Sequence, residues 1–137
     1  MPISVFIADD NERVRKVVVS LLQVAPVIEI VGEASCFAQT LQLASKIHPG
    51  VIVLDIHMGD EHSMTPAQLK SSLISSCLLA MSIWTDDETR SLAEAIGAIK
   101  LLDKSTLGID LIPAIRDCAN VQNRDQAPKC RGASASD

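Results

Sequence analysis

Residues 51–55 read Val-Ile-Val-Leu-Asp, and this short run decides the predicted fold. Four consecutive apolar residues, most of them β-branched, are typical of a central parallel strand that is buried on both faces. Such a strand needs helices on each side of the sheet to cover it. The run also places an acidic side chain, Asp55, at the carboxyl end of the strand, where the loops of an open parallel sheet converge.

Apolar strands alternate with amphipathic helices on both sides of this run. The spacing predicts strands at 3–8, 27–31, 51–54, 77–81 and 99–102 and helices at 11–25, 37–47, 65–74, 86–96 and 110–119. Asp10 or Asn11 can cap the first helix, and Pro113 fits the last helix only in its first turn. Five strands alternating with five helices predict one doubly wound α/β domain with right-handed crossovers.

Length and charge narrow the class of protein. The chain has 137 residues, with 12 Lys+Arg against 17 Asp+Glu and a net charge of −5. A single domain of this size buries roughly 68% of its extended surface, enough for a core without disulfides. Acidity without a basic run argues against direct nucleic-acid binding, and no apolar run approaches the roughly 20 residues of a membrane span. With no secretion signal in its first residues, we expect a cytoplasmic protein.

The cysteines and the C-terminal residues lead to two further expectations. Cys36, Cys77, Cys118 and Cys130 form no C-x-x-C pair, so we expect reduced thiols, the first three in or beside buried elements. Residues 121–137 have almost nothing to bury. We therefore expect a domain over residues 1–120 and a disordered tail or linker over 121–137.

Five polar residues stand at or after the carboxyl ends of the predicted strands: Asp9, Asp10, Asp55, Ser82 and Lys104. Carboxylates that lie close together repel one another unless a cation intervenes. Mg²⁺ suits such a cluster, because it takes oxygen ligands and keeps several waters for exchange with a phosphoryl group. If Asp55 is a nucleophile for phosphorus, Lys104 and Mg²⁺ would compensate the incoming negative charge.

The order and spacing of several motifs resemble the receiver domain of bacterial two-component response regulators. They are Asp9-Asp10, Leu-Asp-Ile-His-Met at 54–58, Met81-Ser82 and Gly-Ala-Ile-Lys-Leu-Leu-Asp-Lys at 97–104. The resemblance covers residues 3–119 and implies a flavodoxin-like (βα)₅ fold with strand order 2-1-3-4-5. Glu-Ile-Val-Gly-Glu-Ala at 29–34 and Lys104-Ser105 are most similar to the NarL/LuxR-type subfamily, which usually precedes a helix-turn-helix domain.

This resemblance implies that Asp55 accepts a phosphoryl group from a sensor histidine kinase or a phosphotransfer protein. It also implies that Asp10, Asp55 and the backbone carbonyl of His57 hold Mg²⁺, with Asp9 acting through water. The chain would then be a signalling switch that catalyses only its own phosphorylation and dephosphorylation, and not a metabolic enzyme. We expect either a stand-alone receiver or part of a longer protein, in which an effector domain outside this chain would link the switch to transcription.

The same resemblance implies how the signal leaves the site. Lys104 would contact the phosphoryl oxygens, and Ser82 would move to hydrogen-bond another of them. This movement would bias the face formed by the fourth helix, fifth strand and fifth helix, which would also serve as a homodimer surface. The family commonly has an aromatic residue at the position of Leu101, so coupling here must run through backbone and packing. The loop after Met58 also lacks the family's usual proline.

Two residues with bulky side-chain rings, His57 and Trp84, are predicted to lie beside the phosphoryl acceptor Asp55. His57 stands two residues after Asp55, and Trp84 stands two residues after Ser82, at positions that are thought to set phosphoryl lifetime in the resembled family. We predict slow dephosphorylation, because in-line attack by water needs space that these rings occupy.

Two other functions compete with this interpretation. One is a receiver-like adaptor that binds its partner without phosphorylation, which Leu101 and the altered loop make plausible. The other is a Mg²⁺-dependent phosphohydrolase of the haloacid dehalogenase class, which uses the same type of nucleophile. That class needs a second acid two residues after the nucleophile, where this chain has His57.

Overall fold

The computed structural model describes residues 2–126 as one five-stranded parallel sheet with helices on both faces. The strand order β2-β1-β3-β4-β5 confirms the predicted doubly wound topology. In chain order the elements are β1 Ile3–Ala8, α1 Glu12–Gln23, β2 Ile28–Ala34, α2 Phe37–Ile47, β3 Val51–Asp55, α3 Pro66–Ser72, β4 Cys77–Ser82, α4 Asp87–Ala95, β5 Lys100–Asp103 and α5 Leu107–Gln126. Two short 3-10 helices, Glu61–Ser63 and Lys104–Thr106, precede α3 and α5. Within residues 2–126 no helix is long and apolar enough to span a bilayer.

Capping side chains set the first residue of several helices and so define the ends of the loops at the carboxyl edge of the sheet. The side chain of Asn11 accepts hydrogen bonds from the first turn of α1, so Asn11, one of the two predicted candidates, is the cap. Thr65 and Gln68 form a reciprocal capping box at the start of α3, with Pro66 in its first turn. Asp86 caps α4 by accepting a hydrogen bond from the Thr89 amide.

The core consists of two apolar clusters, one on each face of the sheet. Alternate residues of β1 divide between them, with Val5 and Ile7 on one face and Phe6 and Ala8 on the other. The first cluster packs under α1 and α5, and the second packs under α2, α3 and α4. The residues at 51–54 are fully buried, as expected for a central strand that is covered on both sides.

The predicted boundaries of β2 and α5 are wrong. β2 continues to Ala34, because its last residues pair with β1. α5 runs from Leu107 to Gln126 instead of 110–119, so Pro113 lies inside the helix and not in its first turn. Burial of Leu107 and Leu111 on one face of the helix outweighs the local cost of the proline. Residues 121–126, predicted as the start of a disordered tail, are helical, and 127–137 lie outside the described residues.

Cys77 and Cys118 form a disulfide bond, so the prediction of reduced thiols is wrong for this pair. The bond joins the first residue of β4 to α5, with the two Cα atoms 5.8 Å apart and a sequence separation of 41. The contact arises because α5 packs back across the sheet, which no local cysteine spacing reveals. Cys36 is a free thiol, and Cys130 lies outside the described residues.

Candidate functional site

Three carboxylates converge at the carboxyl edge of the sheet. Asp9 directly follows β1 and Asp55 ends β3, and these two strands are neighbours. Carboxylate oxygens of Asp9, Asp10 and Asp55 lie within 4.8 Å of one another. Asp9 is 0% and Asp55 3% exposed, whereas Asp10 faces solvent. The cluster therefore consists of a buried pair of acids with a third acid at its entrance.

Lys104 reaches this cluster from the end of β5, two strands away from β3. Its Nζ lies 2.7 Å from Oδ2 of Asp9 and 3.3 Å from Oδ2 of Asp55. Burial lowers the pKa of Lys104, but the ion pairs with Asp9 and Asp55 outweigh burial and raise the pKa above its usual value. The ammonium group thus stays charged and partly neutralises the two buried acids.

Asp55 is the acid whose protonation the site perturbs most clearly. Burial, with repulsion from Asp9, raises the pKa of Asp55 from 3.8 to about 6. The hydrogen bond from the His57 amide to Oδ1, at 3.0 Å, and the nearby Lys104 lower the pKa but do not cancel this rise. The ionised carboxylate is therefore held at an energetic cost, a pattern that is common in functional sites.

The backbone around Asp9 fixes the orientation of its carboxylate. Oδ1 accepts a hydrogen bond of 2.8 Å from the Asn11 amide, and the backbone carbonyl of Asp9 accepts one of 2.5 Å from Arg15 Nη1. Arg15 is itself paired with Glu33 at 3.5 Å. Asp9 therefore presents Oδ2 to the centre of the cluster.

The donor set fits a hard divalent cation. Oxygen ligands from one or two carboxylates, with an open side for water, are what Mg²⁺ commonly takes in proteins. Asp9, Asp10 and Asp55 supply such oxygens, and one ammonium group faces the buried pair. For His57 the structure shows the backbone N–H bound to Asp55, and ligation by its carbonyl stays a prediction.

Ser82, Trp84 and His57 lie beside the cluster. Ser82 is fully buried at the end of β4, and its Oγ accepts a 3.0 Å hydrogen bond from the Trp84 amide. The Trp84 ring packs edge-on against the His57 ring, with the ring centroids 5.2 Å apart. Trp84 is 53% exposed, so one part of its ring is open to solvent while its contact with His57 links it to the residue whose amide binds Asp55.

A family model of the response regulator receiver domain matches residues 5–116. The chain belongs to this receiver domain family. The transcriptional activator DevR/DosR of Mycobacterium tuberculosis is 31% identical over 84% of this chain and 54% of its own length. NarL, the nitrate/nitrite response regulator of Escherichia coli K12, is 30% identical over 86% of this chain and 55% of its own length. The receiver domain therefore spans about half the length of these relatives, and the predicted NarL/LuxR-type relationship is confirmed.

Solved structures of receiver domains have the same fold as this chain. The signal receiver domain of the putative response regulator NarL from Mycobacterium tuberculosis matches with a TM-score of 0.78 and 28% identity, over 87% of this chain and 97% of that one. The response regulator domain of Thermotoga maritima CheB matches with a TM-score of 0.76 over 88% of this chain and 98% of that one. At 21% identity it supports the fold alone.

Asp60 holds the loop after Asp55 in place, through a tether that the sequence did not reveal. Its Oδ1 accepts a hydrogen bond from the Phe37 amide at 3.0 Å, and its Oδ2 accepts one from the Ala38 amide at 3.2 Å. These contacts tie the loop of the receiver domain after Asp55 to the start of α2. Gly59, which stands where the family usually has proline, has φ +96°, a value that proline cannot adopt. The loop therefore depends on a glycine and a carboxylate tether.

Leu101 lies inside β5, opposite Ala80 of β4, and is partly buried against the cluster under α2, α3 and α4. Its proposed part in signal transmission stays a prediction. Of the predicted site residues, Lys104 is ion-paired with Asp55, the His57 amide donates a hydrogen bond to Asp55, and Asp9 and Asp10 lie with it in the carboxylate cluster.

Proposed function

We propose that Asp55 accepts a phosphoryl group from the phosphohistidine of a sensor kinase or phosphotransfer protein. A carboxylate oxygen attacks phosphorus, the P–N bond breaks, and the imidazole leaves with the bonding electron pair. The observation that supports this role is the position of Lys104 Nζ, 3.3 Å from Asp55 Oδ2 inside a buried acidic cluster. A fixed cation there lowers the barrier by compensating the charge that the phosphoryl group brings.

The other members of the cluster have separate tasks. Asp9, Asp10 and Asp55 would hold Mg²⁺, which supplies further positive charge for the phosphoryl oxygens. The His57 amide donates to Oδ1 of Asp55 and so fixes the orientation of the carboxylate. Lys104 stays protonated and can turn from Asp9 towards a phosphoryl oxygen without losing its charge.

Phosphorylation would change contacts on the face formed by α4, β5 and α5. The Ser82 hydroxyl, which accepts a hydrogen bond from Trp84, can donate its own hydrogen to a phosphoryl oxygen. That donation would draw in the loop between β4 and α4. Because Leu101 replaces the family's usual aromatic residue, the change would pass through packing and backbone to a partner or a second copy of the domain. In a longer protein it would control transcription.

This function is tested by incubating the purified protein with acetyl phosphate and Mg²⁺ and measuring its intact mass. We expect a gain of one phosphoryl group, no gain with Asp55→Asn or with EDTA, and an unchanged gain with Asp117→Asn, an exposed acid of α5. Equal labelling of Asp55→Asn, or none of the wild type, would exclude Asp55 as acceptor. Steady turnover of a small phosphate ester would support the phosphohydrolase alternative.

Trp84 reports on the same site without a covalent product. Mg²⁺ and then beryllofluoride, a phosphoryl mimic, should each change the fluorescence of this single tryptophan, since its ring contacts His57 beside Asp55. Asp55→Asn should abolish the beryllofluoride response. A partner that binds equally well with and without beryllofluoride would support the adaptor alternative.

A further inference from the structure

We propose that Cys77 and Cys118 form a reversible thiol–disulfide modification site that sets how firmly the distal half of α5 is held on the sheet. The pair lies at the amino end of β4, whereas the acidic cluster lies beyond the carboxyl ends of the strands. It takes no part in the proposed phosphoryl transfer and does not depend on that proposal. Both residues are nearly inaccessible, with Cys77 6% and Cys118 0% exposed.

Among the α5 residues whose burial is described, 107–121, Cys118 is the last that is fully buried. Beyond Cys118, Ala119 is only partly buried, and Asn120 and Val121 are exposed. Five residues before Cys118, Pro113 lies inside the helix and has no N–H to donate to the carbonyl of Ile109, so the helix lacks one backbone hydrogen bond there. The segment after the proline therefore has one backbone hydrogen bond fewer to the preceding turn, and its contacts with the sheet help to hold it in place.

Both oxidation states are compatible with the surroundings of the pair. Cys77 and Cys118 belong to the apolar cluster under α1 and α5, together with Leu111, Ala114 and Ile115 of the same helix. A protonated cysteine behaves as a small apolar residue, so two thiols can stay buried without an unpaired charge. Reduction should thus keep the fold while it removes the covalent attachment of α5.

The chemistry is a thiol–disulfide exchange with a dithiol or with glutathione. In reduction, an external thiolate attacks the sulfur of Cys77, the more exposed partner, and Cys118 leaves as a thiolate that takes up a proton. A second external thiol resolves the mixed disulfide, so the pair gains two electrons and two protons while the reductant becomes a disulfide. Oxidised glutathione reverses these steps. Exchange requires local opening, since neither sulfur is open to solvent in the closed helix.

The experiment compares backbone hydrogen exchange of the 137-residue protein in oxidised and in reduced glutathione, with alkylation and mass spectrometry to assign the thiols. In oxidised glutathione, we expect Cys77 and Cys118 to resist alkylation even after unfolding. After reduction, peptides over 113–121 should exchange faster. The ratio of their exchange rates in reduced and oxidised protein should be about tenfold larger than the same ratio for α1 peptides. Cys36→Ser should behave as the wild type, because Cys36 lies outside the pair.

Cys118→Ala should exchange like the reduced wild type in both buffers. If this variant does not fold, Cys77→Ala and the reduced wild type provide the same comparison. Alkylation of both cysteines in oxidised glutathione would overturn the proposal. Reduction also lowers the global free energy of unfolding, so α1 peptides should exchange faster too. A rise in α5 no larger than the rise in α1 would overturn the proposal, since the bond would then act only on global stability and not on the attachment of this helix.

Discussion

The two ends of β4 differ in their surroundings: one lies beside a buried cluster of charges, and the other lies in an apolar cluster. At its carboxyl end, Ser82 lies next to an edge where Asp9 and Asp55 are buried together and Lys104 is their paired cation. At its amino end, Cys77 is bonded to α5 inside an apolar cluster. The first end keeps charges at a cost in stability, and the second adds a covalent link that opposes unfolding. A small domain can retain a strained site when the rest of its core is this well fixed.

Reduction of the disulfide should produce the largest change in stability. Closing a loop between cysteines that are 41 residues apart corresponds to about 4 kcal/mol of unfolded-state entropy. We expect the free energy of unfolding in urea to fall by about that amount in reductant and in Cys118→Ala. Cys36→Ser changes the N-cap of α2 but not the disulfide, so reduction should lower its free energy of unfolding by the same amount as in the wild type. A loss below about 1 kcal/mol would mean that the unfolded chain gains little freedom from reduction.

The acidic edge should give the next largest effect, as a dependence of stability on pH. The pKa of Asp55 rises from 3.8 to about 6 on folding, so the folded state binds more protons between these values and stability falls as pH increases through them. The shift corresponds to up to about 3 kcal/mol. Asp55→Asn should remove this dependence and be more stable than the wild type at neutral pH. Urea titrations in metal-free buffer would measure it, with Asp117→Asn retaining the wild-type slope.

Much of this acidic edge could be predicted from the sequence, because the position of each residue in the fold follows from the strand that it ends or comes after. The apolar run ending at Asp55 predicted β3, and the topology of parallel sheets brings Asp9 and Lys104 to the same edge. The tether from Asp60 to the Phe37 amide and the disulfide were not predictable, since each joins segments distant in sequence and neither partner carries a local signal. The prediction for Pro113 failed for the opposite reason. The proline is a strong local signal for the first turn of a helix, but burial of α5 outweighs its cost and the helix begins earlier.

Lys104→Met should have a smaller effect than the loss of the disulfide, although it removes the cation from two buried acids. We expect a loss of roughly 2 kcal/mol at neutral pH, limited because Asp55 can bind a proton when its partner is absent. Mg²⁺ should restore more stability to this variant than to the wild type, because the acids then lack any other counterion. Thermal melts with and without Mg²⁺ would show this, with Lys100→Met, an exposed strand residue, as control. Equal gains from Mg²⁺ in both proteins would contradict a shared site.

The ring pair should give the smallest effect, on the lifetime of the phosphoryl group. His57 and Trp84 meet edge-on, and the His57 amide binds Asp55, but the tryptophan is half exposed. The combined change His57→Asn and Trp84→Glu should therefore speed dephosphorylation about fivefold, equivalent to about 1 kcal/mol in the barrier. Mass spectrometry of the decaying phosphorylated protein would measure this rate.

Ile83→Ala provides the matched control for that measurement, because Ile83 is an exposed apolar residue of the same loop that lies outside the ring pair. Its rate should equal that of the wild type. If the ring variant decays no faster than this control, the rings do not limit the approach of water to the phosphoryl group. Slow decay would then have to come from the environment of the acyl phosphate itself, where Lys104 is the residue placed to stabilise it.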